Sequence, residues 1–82
     1  MAVVRIINQA SGAIIDDGLR AALPVNATEC GATTVDLADR CAVMDFPASI
    51  TDPLGDVCRM LDRLRPAGWR DQYAVTLDPP AS

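Results

Sequence analysis

TDPLGDVCRMLDRLR, from Thr51 to Arg65, is the stretch around which the rest of the chain is arranged. It reads as one amphipathic helix. Asp52 can accept hydrogen bonds from the free amides of a first turn, and Pro53 is preorganised for the first helical position. Leu54, Val57, Cys58, Leu61 and Leu64 then recur at the spacing of one buried stripe. Opposite them, Asp56 with Arg59 and Asp62 with Arg65 form i, i+3 pairs of opposite sign. Arg63 and Arg65 suit the negative end of the macrodipole, and Pro66 followed by Gly68 predicts the stop. Gly55 costs about 1 kcal/mol relative to alanine. The charged face is balanced in sign and reads as a solvated surface.

Upstream, TTVDLADRCAVMDF, 33–46, predicts a β-hairpin with Asp39-Arg40 as its two-residue turn. Leu37 then lies opposite Ala42, Val35 opposite Met44, and Phe46 continues a wholly apolar face. The other face carries Asp36, Ala38, Cys41, Val43 and Asp45. As a helix the same residues would be apolar almost all round, a poor fit to a small domain. Asp-Arg lacks the glycine or asparagine that a tight primed turn prefers.

Further out, AVVRIINQ, 2–9, reads as a strand, Ala10-Ser11-Gly12 as a turn, and Ala13 to Ile15 as a returning strand. The register of that first hairpin is open between a two-residue and a three-residue loop. Asp16 or Asp17 caps a short helix over 18–23, ended by Pro24; the alternative is a second strand continuing to about Leu19. Residues 25–32 read as a loop. Trp69, Tyr73, Val75 and Leu77 alternate with Arg70, Gln72, Ala74 and Thr76, which predicts a last strand. The expected fold is α+β: an antiparallel sheet of four to five strands with the 51–65 helix on one face. A single domain occupies 1–78, and 79–82 is a tail.

The 82-residue chain is half hydrophobic, enough for a core and too much for disorder. No apolar run approaches 18 residues, and the first residues lack a basic region followed by an apolar one. A cytoplasmic location without membrane contact is expected. Histidine is absent, which removes the commonest general base. Cys30, Cys41 and Cys58 are widely spaced and form no CxxC pair, so no metal site is expected. They read as free thiols, with a Cys30–Cys41 disulfide as the alternative. No glycine-rich phosphate loop appears; of the possible carboxylate dyads, Asp16/Asp17 reads as a strand stop and cap and Asp52/Asp56 as a cap and solvated face. The expectation is a non-enzyme without a cofactor.

Ten aspartates, one glutamate, seven arginines and no lysine give a net charge of −4. Direct nucleic-acid binding, which needs a basic face, is not expected. Residues 1–56 hold eight acidic residues against Arg5, Arg20 and Arg40, or −5; residues 57–82 hold three against four arginines, or +1. The asymmetry points to an acidic surface, with Asp16, Asp17, Asp36, Asp39 and Asp45 as candidate partner-binding residues. Its expected partner is a protein with a basic surface. The stretches 13–17 (AIIDD), 35–45 (VDLADRCAVMD) and 52–56 (DPLGD) supply its carboxylates. In size, acidity and lack of catalytic motifs the chain resembles the small phage-encoded anti-CRISPR inhibitors. That resemblance implies a protein in the host cytosol that occupies a basic surface of a CRISPR effector complex and blocks its DNA binding. The alternative is a small structural or self-assembling phage or bacterial accessory protein, homodimeric through a sheet edge or the Cys41/Val43 face.

Overall fold

In the computed structural model, residues 2–10, 13–65 and 68–78 are described. The elements are β1 (Ala2–Asn8), α1 (Asp17–Glu29), β2 (Thr34–Leu37), β3 (Cys41–Phe46), α2 (Pro53–Leu64), α3 (Trp69–Gln72) and β4 (Tyr73–Asp78). The fold is α+β: one four-stranded antiparallel sheet in the order β2-β3-β1-β4, with the helices packed on it. β1 and β2 are both antiparallel to β3, so they are parallel to each other with β3 between them; α1 makes the crossover. β3 and β4 flank β1 in the same way, joined through α2. Two interleaved units of this kind form the split-βαβ, or ferredoxin-like, strand order.

The α2 helix forms as its local sequence dictates. Asp52 caps it, accepting from the Gly55 amide at 3.1 Å, and Pro53 opens its first turn. Val57 and Leu61 are fully buried, and Leu54, Cys58 and Leu64 pack half-buried against the core. Met60 is fully buried as well, so the stripe is wider than the apolar spacing indicated. Arg59 pairs with Asp56 as expected, at 2.5 Å. The Asp62–Arg65 pair is replaced by longer-range contacts. Asp62 accepts from the Trp69 indole at 2.8 Å, and Arg65 lies 3.5 Å from Asp16. Pro66 lies outside the described residues.

The β2–β3 hairpin has the predicted register, Leu37 opposite Ala42 and Val35 opposite Met44. Ala38 donates to the Cys41 carbonyl at 2.8 Å across the Asp39-Arg40 turn. Neither turn residue adopts a positive φ, so the turn needs no glycine or asparagine.

Three expectations are corrected. The 13–15 segment is not a strand; β1 pairs instead with β3 and β4. The fully buried Asn8 fixes the connection from its side chain, donating to the Ile14 carbonyl at 2.8 Å and accepting from the Ala10 amide at 2.9 Å. Second, the short helix over 18–23 and the loop over 25–32 are replaced by one helix, Asp17–Glu29, that runs through Pro24. Leu19, Leu23 and Ala27 lie on one face of it and are essentially fully buried, so tertiary packing outweighs the lost Pro24 donor. Thr28 Oγ1 donates to the Pro24 carbonyl at 2.7 Å and Asn26 Nδ2 to the Ala22 carbonyl at 2.8 Å. Gly31, at φ 106°, closes α1. Its amide donates to the Thr28 carbonyl and that of Ala32 to the Ala27 carbonyl, both at 3.0 Å, a Schellman cap. Third, Trp69–Gln72 is a helical turn and only Tyr73–Asp78 is strand.

The core lies between the helices and one sheet face. Val4 and Ile6 of β1, Ala42, Met44 and Phe46 of β3, and Tyr73 of β4 meet Leu19, Leu23, Val57, Met60 and Leu61 in one buried cluster. Among the described residues no helix is long and apolar enough to cross a membrane.

Candidate functional site

The sheet face turned away from the helices is the candidate site, and strand register builds it. Side chains alternate across a strand, so the residues between the core positions all lie on that face. One cross-strand row is Thr34, Asp45, Val3 and Asp78; the next is Asp36, Val43, Arg5 and Thr76; below them Cys41, Ile7 and Ala74 follow. Arg5 occupies the middle of the face, and Val3, Val43, Ile7 and Cys41 form a half-buried apolar patch beside it. Asp36, Asp45 and Asp78 lie on the same face against one cation, Arg5, a local excess of two negative charges. Arg5 Nη1 meets Asp78 Oδ2 at 3.2 Å, both side chains remaining well exposed. Asp45 Oδ2 accepts from Thr34 Oγ1 at 2.5 Å, which fixes its carboxylate on the face.

The five predicted acidic residues divide between two places. Asp36 and Asp45 share the open face. Asp16, Asp17 and Asp39 gather at the end of the sheet where the β2–β3 turn meets the start of α1, with the Ile15 amide donating to the Asp39 carbonyl at 2.8 Å. Three arginines accompany them. Arg20 Nη1 donates to the Ala38 carbonyl at 2.7 Å, and Arg40 Nη2 donates to the Asn8 and Ala10 carbonyls, both at 3.1 Å. Arg65 pairs with Asp16. Charge at this end is balanced.

Asp16 is also committed to the fold. Its Oδ1 accepts from the Leu19 amide at 2.9 Å, capping α1, and its Oδ2 accepts from the Tyr73 hydroxyl at 3.0 Å. Burial raises the Asp16 carboxyl. The Leu19 amide, the Tyr73 hydroxyl, Arg65 and the Gly18 amide overcome that and hold it below its ordinary value. The Tyr73 phenol is pushed above its ordinary value, chiefly by burial and further by the Asp16 carboxylate, against the opposing Asp16 amide.

Two members of the open face, Arg5 and Asp78, are not among the candidates that the sequence supplies. The alternation of Val3, Arg5 and Ile7 with Val4, Ile6 and Asn8 was the available signal; it needed β1 to be central. Cys30, Cys41 and Cys58 are free and half-buried, without the disulfide. Among the described residues no group of three or more Cys, Asp or Glu gathers as metal ligands. A separate open pocket of about 350 Å³ lies beside β4, lined by Gln9, Leu54, Cys58, Trp69, Arg70 and Val75 among others. The Arg70 guanidinium stacks over the Trp69 ring at 4.4 Å.

Fold and site together define a two-layer α+β domain with helices packed on one sheet face and, among the described residues, no helix or strand on the other. The chain matches no protein-family model, no curated protein and no solved structure.

Proposed function

We propose that this chain is a non-enzymatic protein-binding inhibitor that seats its open sheet face on a basic surface of a larger partner. The fold alone assigns no activity. The observation that carries the reading is the open face itself: apolar side chains around a central arginine, with three carboxylates beside them. Apolar area supplies the association energy at such a surface, and the carboxylates select and orient a cationic partner. Each carboxylate suits an arginine fork, which takes it in two parallel hydrogen bonds. An anti-CRISPR protein that blocks DNA binding by a CRISPR effector complex is the concrete case, because such complexes hold nucleic acid in positively charged channels.

The test uses the double variant Asp36→Arg/Asp45→Arg. Gel-shift titration across a panel of purified, guide-loaded CRISPR effector complexes measures whether the wild-type chain displaces DNA. Inhibition by the wild type, lost in the double variant with its melting temperature unchanged, supports the proposal. No inhibition across the panel removes the anti-CRISPR case. Inhibition that survives both reversals removes the acidic face as the binding surface.

A second reading, a small self-assembling accessory protein, is favoured by a different observation, the outer edge of β4.

A further inference from the structure

The hydrogen bonds of β1 determine which backbone groups of β4 are free. The Asn8 amide donates to the Arg40 carbonyl at 2.9 Å, and the Gln9 amide to the Gln72 carbonyl at 2.8 Å. Even-numbered residues of β1 therefore bond to β3 and odd-numbered ones to β4. In the β4 register Gln72, Ala74, Thr76 and Asp78 face β1, whereas Tyr73, Val75 and Leu77 point their amides and carbonyls outward. The Tyr73 amide is already given to the Trp69 carbonyl. Among the described residues nothing bonds to the Val75 or Leu77 backbone. Both side chains are half-exposed on the helix-covered side of the sheet.

We propose that the chain forms a two-fold homodimer in which β4 pairs antiparallel with β4 of a second copy. The register follows from the free donors. Pro79 has no amide hydrogen and Tyr73 has spent its own, so only Val75 and Leu77 can donate along this edge. Placing Val75 opposite Leu77 of the second copy uses both donors and both acceptors on each chain. Placing Val75 opposite itself sets the Leu77 carbonyl against the committed Tyr73 amide and strands it. In the favoured register the side chains of Val75 and Leu77 cover one another. Thr76 meets its own copy on the axis. Ala74 lies opposite Asp78 of the second copy. Thr76, exposed on the open face, is the one side chain that faces its own copy, as an isologous contact requires. With the axis perpendicular to the sheet, both open faces lie on the same side of one eight-stranded sheet. The dimer stands whether or not that face binds a cationic partner.

Light scattering or sedimentation equilibrium from micromolar to millimolar concentration tests this. The wild type should approach twice the 8.7 kDa chain mass. Val75→Pro removes one outward amide per chain and no bond to β1, so the β1 ladder stays intact. It should raise the dimer dissociation constant about tenfold or more while dilute samples melt as the wild type does. If that variant fails to fold, the axis position decides: Thr76→Arg and Thr76→Asp, each setting like charges against each other, should both weaken the dimer, and an equimolar mixture of the two should restore it. A wild type that stays monomeric throughout overturns the proposal. So does a folded Val75→Pro chain with an unchanged dissociation constant, or an association indifferent to both charge variants.

Discussion

Asp16 is the residue at which most of the structure converges. One carboxylate caps α1, accepts from Tyr73 on β4 and pairs with Arg65 beyond α2, so three distant segments depend on it. This gives stability a defined pH dependence. Because the Asp16 carboxyl is lowered in the fold, the unfolded chain binds more protons between the two values. Its contribution is present above the ordinary carboxylate range and lost as pH falls through the folded value. Tyr73 has the opposite sense. Its raised phenol contributes stability below the ordinary tyrosine range, lost as pH rises through it. Thermal melts across pH should show a plateau falling at both ends. Asp16→Asn should flatten the acid limb. Tyr73→Phe should flatten the alkaline limb and cost about 1–2 kcal/mol at neutral pH through the lost hydroxyl bonds. Identical pH profiles for wild type and variants would remove the network as a determinant.

Among the elements, α1 shows local and tertiary signals in conflict. Pro24 reads as a stop, and the 25–32 run reads as loop. Yet Leu19, Leu23 and Ala27 continue one buried face across the proline, and burial of three apolar side chains outweighs one absent backbone bond. The cost of Pro24 is still present, because the Arg20 carbonyl lacks the amide it would receive. Pro24→Ala should therefore stabilise the protein by about 1–3 kcal/mol in denaturant unfolding, since the site is exposed and helical on both sides. A destabilised variant would show that the proline ring is needed to set the course of the helix. Against α1, the α2 helix and the β2–β3 hairpin were legible beforehand. Their determinants, an Asp-Pro cap, an apolar repeat and a two-residue turn between alternating strands, all lie within fourteen or fifteen consecutive positions.

At the scale of the whole molecule, the sheet has a protected interior and two unequal edges. β1 is bonded on both sides, whereas β2 is only four residues long and β4 offers free donors at Val75 and Leu77. Hydrogen exchange should reflect this. The Val4 and Ile6 amides should exchange slowest at every concentration. Those of Val75 and Leu77 should exchange rapidly in dilute solution and become protected as concentration rises. Fast exchange of Val75 and Leu77 at all concentrations would place any association elsewhere. The whole-molecule view also sorts the acidic residues. An excess of five negative charges over 1–56 suggested one patch. Folding sends Asp16, Asp17 and Asp39 to an end neutralised by Arg20, Arg40 and Arg65, and leaves Asp36 and Asp45 on a face that gains Asp78 from the far end of the chain.

The sequence by itself determined the α+β class, the main helix with its cap, the hairpin register and the two faces of the β2–β3 strands, because each rests on neighbours a few residues apart. Only the tertiary structure decided that β1 is central, that α1 passes through Pro24, and that Trp69 turns in a helix before β4 begins. It alone joined Asp36, Asp45, Arg5 and Asp78 on one surface. Those outcomes depend on pairing β1 with strands more than thirty residues away and on burying one continuous core, and no local pattern of residues encodes which distant partner completes it.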